Sequence, residues 1–205
     1  TSRAKSDVAN KLVSMFLHDI SRRISADIHL SVTDAGYVSA VTSTFGNFCC
    51  YCGRNLETDR AAVEHPQGMN RFRVGLHIPG NVIIACNRCN REKRRDDSKE
   101  DLSLAKTGWE SFLAHDSKNC SPGCKNCEYW ASIWPDTVHR SKQLRKAAKK
   151  IQDFQRNYPD SLQWSQKASV LLKPKLAALY RECQEFAVSR IQSSADEVFE
   201  KLRAK

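Results

Sequence analysis

The chain has 205 residues, 40% of them hydrophobic and 27% charged, which is enough apolar content for a buried core and excludes an intrinsically disordered chain. No apolar run approaches the roughly 20 residues a membrane helix needs, and the opening TSRAKSDVANK lacks an apolar signal core, so the expectation is a cytoplasmic protein with reduced thiols and no membrane partner. Lys and Arg outnumber Asp and Glu by 33 to 23, a net charge of +10, so a polyanion is the natural partner.

Val8, Leu12, Phe16, Ile20, Ile24 and Ile28 recur every four residues, beside Val13 and Leu17, and predict an amphipathic helix over 7–30. Thr33 or Asp34 caps a second helix that runs to Thr44 and ends at Gly46 and Asn47. A short strand over 61–64 precedes a loop broken by Pro66, Gly68, Asn70 and Gly75. A second strand over 82–85 leads into a helix over 87–96. From Ser98 the composition turns helical. Two helical pieces are expected over 99–117, with Thr107 and Glu110 as a capping box. Trp130, Ile133, Trp134 and Pro135 form an apolar knot that reads as core or a docking surface, and a basic helix over 137–157 stops at Tyr158-Pro159. The last segment, 160–205, carries one stripe from Leu176 through Tyr180, Phe186, Ile191 and Val198 to Leu202, and Pro174 is expected to begin or kink its helix. The fold class is thus α+β and predominantly helical, organised as an N-terminal helical region (1–47), a small core (48–97) and a C-terminal helical region (98–205).

The chemistry concentrates in 49–95. Cys49/Cys52 and Cys86/Cys89 are two Cys-x-x-Cys knuckles, each placing two thiolates at one turn, and together they complete a closed four-thiolate structural zinc site. Cys50 falls outside the spacing. Cys120, Cys124 and Cys127 supply three more thiolates, for which His115 is the best-placed fourth ligand and His139 the next, giving a second structural Zn²⁺. Two basic clusters, Arg88, Arg91, Lys93, Arg94 and Arg95, then Arg140, Lys142, Arg145, Lys146, Lys149 and Lys150, are suited to phosphate backbones.

Between the knuckles stand Glu64-His65 and Asn81, and Asn90 follows the second knuckle. The segment VEHP…GNVIIACNRCNREK resembles the signature of the HNH nucleases, over 49–95 and less than a quarter of the chain. The resemblance implies a ββα-metal nuclease core stapled by zinc. In it His65 would be the general base and Asn81 would brace the loop that orients that base. Glu64 and Asn90 would hold one catalytic Mg²⁺ or Mn²⁺, and Lys93 would reach a phosphate. The activity implied is a metal-dependent endonuclease of restriction type on double-stranded DNA, acting as a homodimer. Taken singly, Glu64-His65 is most often a surface pair and Asn81 most often a turn residue, and Asn90 reads also as a helix cap. His77 reads as a spare ligand, a phosphate contact or a plain loop residue. A zinc-stabilised nucleic-acid-binding module without hydrolysis, and a mobile-element nuclease, are the competing readings.

Overall fold

The structure, a computed structural model, describes residues 2–58, 60–97, 108–115, 120 and 122–204, with the side chains of 2–4 and 94–97 outside the description. Its elements are α1 (Ser2–Asp27), α2 (Ala35–Phe45), β1 (Ala61–Glu64), β2 (Ile83–Cys86), α3 (Asn87–Asp97), α4 (Gly108–Leu113), α5 (Lys125–Ile133), α6 (Thr137–Arg156) and α7 (Pro159–Arg203). The protein is mostly helical, with one two-stranded antiparallel sheet in which Ala61 faces Cys86 and Glu64 faces Ile83. Thr107 and the rest of 98–107 lie outside the described residues, and so does the expected capping box. No helix among the described residues is long and apolar enough to cross a membrane.

Two cores flank the hairpin. On one side α1 buries Val13, Leu17 and Ile24, at spacings of four and seven, in a stripe that packs in one core with Ala168, Leu172 and Leu176 of α7. Val74, Leu76 and Ile78, from the connection between the strands, close this core. On the other side Tyr37, Val41 and Phe45 of α2 pack with the knuckle cysteines, Ile83 and Ala85 of β2, and the aromatic groups of α4, α5 and α6. Packing therefore crosses the boundaries at 47 and 97, because the first and last helices share one core.

Three elements take a more definite form in the structure. Pro174 does not begin the helix: α7 starts at Pro159, which occupies its first turn, and continues through Pro174, with Leu172 and Leu176 buried against α1 on either side of it. That packing carries the helix across the one missing N–H. The knot around Trp130 is the helix α5, whose Tyr129 and Trp130 are buried, with Trp130 Nε1 donating to the Phe112 carbonyl (2.9 Å). The stripe of α7 divides: Gln184 reaches Ser6 near the start of α1, and the turns beyond expose Phe186, Ile191, Val198 and Leu202.

The connection between β1 and β2 is built rather than slack. Gly75 donates to the Gly68 carbonyl (2.9 Å), and a Cβ on Gly75 would fall 1.8 Å from the Gln67 carbonyl oxygen, so only glycine allows the loop to fold on itself there. Asn81 ties both ends of the same loop. Its Oδ1 accepts the Gln67 N–H (2.7 Å), and its Nδ2 donates to the carbonyls of Gln67 (3.0 Å) and Leu76 (2.7 Å).

Candidate metal centres and the histidine cleft

The first knuckle folds as a tight turn. Gly53 takes φ +69°, a conformation that favours glycine, and its N–H reaches the Cys49 carbonyl (2.9 Å), while Cys50 N–H bonds the Ile84 carbonyl (3.2 Å) and so fixes the turn to β2. The second knuckle lies where β2 passes into α3, with Cys86 closing the strand and Cys89 in the first helical turn. The ligand atoms of Cys49, Cys52, Cys86 and Cys89 all lie within 4.8 Å of one another. Sulfurs on a zinc tetrahedron with Zn–S of about 2.3 Å sit about 3.8 Å apart; Cys52 and Cys86 are 3.9 Å apart. The donor set therefore fits structural Zn²⁺ with no open position. Hydrogen bonds from Cys50 and then from the other three knuckle thiols hold the Cys49 thiol well below its ordinary value, favouring the thiolate that zinc takes. The Tyr129 hydroxyl, 2.9 Å from Cys89 Sγ, supports that ligand from behind.

His115, Cys120, Cys124 and Cys127 form the second set, again within 4.8 Å. His115 Nδ1 lies 3.3 Å from Cys120 Sγ and 3.3 Å from Cys124 Sγ, close to a tetrahedral edge, so His115 fits as the fourth ligand. His139 instead sits on α6, its N–H donating to Asp136 at the helix start (2.5 Å). Burial pushes the Cys124 thiol up, but the N–H and thiol of Cys127, the Asn126 N–H and nearby His115 outweigh it and bring the thiol to about 7.

Glu64, His65, Asn90 and Lys93 all line one cleft of about 580 Å³, where the end of β1 and the face of α3 meet α1, the loop at 68–72 and Tyr180 of α7. The hairpin register places Glu64 and His65 at the strand exit, and α3 carries Asn90 and Lys93 one turn apart. Within the cleft the roles differ from expectation. Lys93 is 1% exposed and pairs with Glu64 Oε1 at 2.9 Å, while also donating to the His65 carbonyl (2.8 Å). It is a buried partner of the carboxylate and not a surface phosphate contact. The Tyr51 hydroxyl takes the same Glu64 oxygen (3.1 Å). A hydrated Mg²⁺ or Mn²⁺ needs an accessible carboxylate. Glu64 is 1% exposed and already neutralised by Lys93, so the Glu64–Asn90 pair does not fit that ion in this arrangement. Asn90 Nδ2 points to the Val63 carbonyl (3.4 Å).

His65 is partly buried, and burial, then the proximity of His77, Lys93 and His18, lowers its pKa to about 3. The ring is neutral at physiological pH, the form that accepts a proton. Its Nε2 is 2.9 Å from His77 Nδ1, and the His18 ring lies 5.0 Å from that of His77. Sequence spacing had no means of finding His18, on α1, 47 residues before His65, or of choosing a role for His77. The Arg71 guanidinium also lines the cleft, 4.0 Å above the Phe72 ring and 4.3 Å from that of Tyr180. Nothing in the local pattern singled it out, because the stacking partner Tyr180 comes from the far end of the chain.

Of the basic clusters, Arg88 and Arg91 are exposed, and Arg88 stacks over Tyr129 while donating to Ser132 Oγ (3.1 Å). The side chains of Arg94 and Arg95 lie outside the described residues. Lys142, Arg145, Lys146, Lys149 and Lys150 are exposed along α6. Arg140 does not join them: it is 4% exposed and donates to the Trp134 carbonyl (3.1 Å), bracing the turn into α6.

The chain matches no protein-family profile, no curated protein and no solved structure.

Proposed function

We propose that this protein is an endonuclease of HNH type that hydrolyses DNA phosphodiesters in the cleft at the end of β1. The observation that carries the reading is the convergence of Glu64, His65 and Asn90 on one cleft, with Asn81 tying down the loop that follows the base. In this reading His65 takes a proton from water, and the resulting hydroxide attacks phosphorus. The bond to the 3′ oxygen breaks, and solvent supplies the proton that leaves a 3′-hydroxyl and a 5′-phosphate. Arg71, held between Phe72 and Tyr180, is the cation placed to meet the charge on the phosphoryl oxygens. Glu64 and Lys93 form the floor. Glu64, paired with Lys93, is not the carboxylate of a hydrated Mg²⁺ in this arrangement. The two zinc sites hold the fold and take no part in the reaction.

The exposed cations of α6 supply grip on the phosphate backbone. One cleft serves one strand, so cutting both strands of a duplex calls for two copies in a restriction-type homodimer. The exposed apolar turns of α7 are the surface available for that pairing.

A second reading, a zinc-stapled DNA-binding module without hydrolysis, is favoured by one observation, the closed Glu64–Lys93 pair. Zinc-loaded protein incubated with supercoiled, linear and single-stranded DNA, with and without added Mg²⁺ or Mn²⁺, separates the two. Cleavage lost in His65→Ala but kept in His139→Ala supports the nuclease. Salt-sensitive binding without cleavage under every condition supports the module. Cleavage undiminished in His65→Ala removes the assigned base.

A further inference from the structure

His77 takes no part in the motif that singled out His65, yet its backbone is anchored beside it. Its backbone N–H donates to Ser21 Oγ (2.8 Å), and Ser21 Oγ donates in turn to the Leu17 carbonyl (2.6 Å). Ser21 is 1% exposed, so water does not compete for either bond. One turn of α1 therefore sets where the backbone of His77 lies. The ring has a histidine on either side: that of His18 at 5.0 Å and 54°, and that of His65 at 5.2 Å and 52°. The carbonyl of His65 is held by Lys93 Nζ (2.8 Å). Both members of the contact are thus fixed through their own backbones, by different elements.

The contact itself, His65 Nε2 to His77 Nδ1 at 2.9 Å, admits one proton between two ring nitrogens. If His77 Nδ1 carried it, a neutral His65 would have its only lone pair tied up in that bond and its Nδ1 protonated. If His65 Nε2 carries it, the lone pair of His65 Nδ1 is left free. Only the second arrangement leaves His65 able to act as a base. We infer that His77 is the positioning residue of this cleft: its Nδ1 accepts the Nε2–H of His65, holding the imidazole in the tautomer whose Nδ1 is the basic nitrogen. His77 touches neither water nor phosphate in this role and acts through His65 alone. The inference gives α1 a place in the site, since Ser21 fixes His77 and His18 packs on its outer face. The choice of tautomer rests on the proposed hydrolysis, because His65 acting as a base is what selects it, whereas the contact between the two rings does not.

The test is a long-range proton–nitrogen correlation spectrum of the zinc-loaded full chain, ¹⁵N-labelled at histidine, with the His65 ring assigned by comparison with His65→Gln. The expected wild-type pattern is protonated Nε2 and unprotonated Nδ1 at neutral pH. In His77→Ala the His65 ring should become a mixture of both tautomers. His77→Asn, whose side-chain oxygen can accept the same proton, should restore the single one. Wild-type protein with His65 protonated at Nδ1 overturns the inference without need of any variant, and so does a tautomer unchanged in His77→Ala at unaltered zinc content. For DNA cleavage, His77→Ala should lower kcat by roughly 10–100-fold with KM little changed, and His77→Asn should recover most of it. A wild-type protein that shows the Nε2–H tautomer but cleaves nothing keeps the positioning and removes the hydrolytic reading.

Discussion

The buried pair of Lys93 and Glu64 makes the sharpest quantitative prediction. Both side chains are 1% exposed and 2.9 Å apart. At an effective dielectric of about 20 the attraction over that distance is about 6 kcal/mol, most of which offsets the desolvation of two charges. Removing Lys93 alone leaves a buried carboxylate without its counter-charge and vacates the donor to the His65 carbonyl, so Lys93→Met should destabilise by about 3–5 kcal/mol. For a chain of this size that lowers the thermal midpoint by roughly 6–20 °C. The double variant Lys93→Met/Glu64→Gln removes both charges and should recover much of the loss, because no uncompensated ion remains. The exposed pair Arg22–Asp19 is the control, and Asp19→Ala should leave the midpoint where it was. The assay is denaturant and thermal unfolding with zinc in excess, read as a double-mutant cycle. A Lys93→Met protein within 1 kcal/mol of wild type, or a double variant no more stable than the single, would refute the buried pair as the floor of the cleft.

Three further outcomes follow from other parts of the structure. Metal analysis should find two zinc per chain, falling to one in His115→Ala and in Cys86→Ser, with Cys86→Ser costing far more stability because its site lies in a core shared by α2, β2 and α6. Gly75→Ala should disorder the loop between the strands, since its Cβ would sit 1.8 Å from a backbone oxygen; a midpoint and a His65 spectrum like those of wild type would contradict the packing described. The lowered pKa of His65, about 3, makes acid destabilising. The unfolded chain binds a proton near pH 6.5 that the folded chain refuses until about 3, so this contribution is fully present above 6.5 and is lost as pH falls, at about 1.4 kcal/mol per unit. His65→Asn should flatten the stability profile by that slope between pH 6.5 and 5, where an unchanged slope would show that His65 titrates normally in the folded chain.

What the sequence determined by itself is what depends on local spacing. Cys-x-x-Cys at 49 and 86, and the Cys120, Cys124, Cys127 set with His115, specify their clusters because each turn brings its own thiols together. The helices α1 and α2 were legible from apolar period and capping residues, and α3 and α6 from charge, propensity and the stop at Tyr158-Pro159, all of which are local as well. Tertiary structure decided the rest. Lys93 looked like one of a run of exposed cations, and only the closure of α3 against β1 turns it inward to Glu64. Arg140 sits in an equally basic run, yet the turn from Trp134 draws it into the core. Pro174 marked a place where the helix begins or kinks, and only the packing of α7 on α1 shows that the helix begins earlier, at Pro159. The histidine cleft is the clearest case: His18, His65 and His77 come from a helix, a strand end and a loop, and Arg71 rests on a ring from α7. No periodicity within any one segment encodes their meeting, because it is set by where two separate cores hold the hairpin between them.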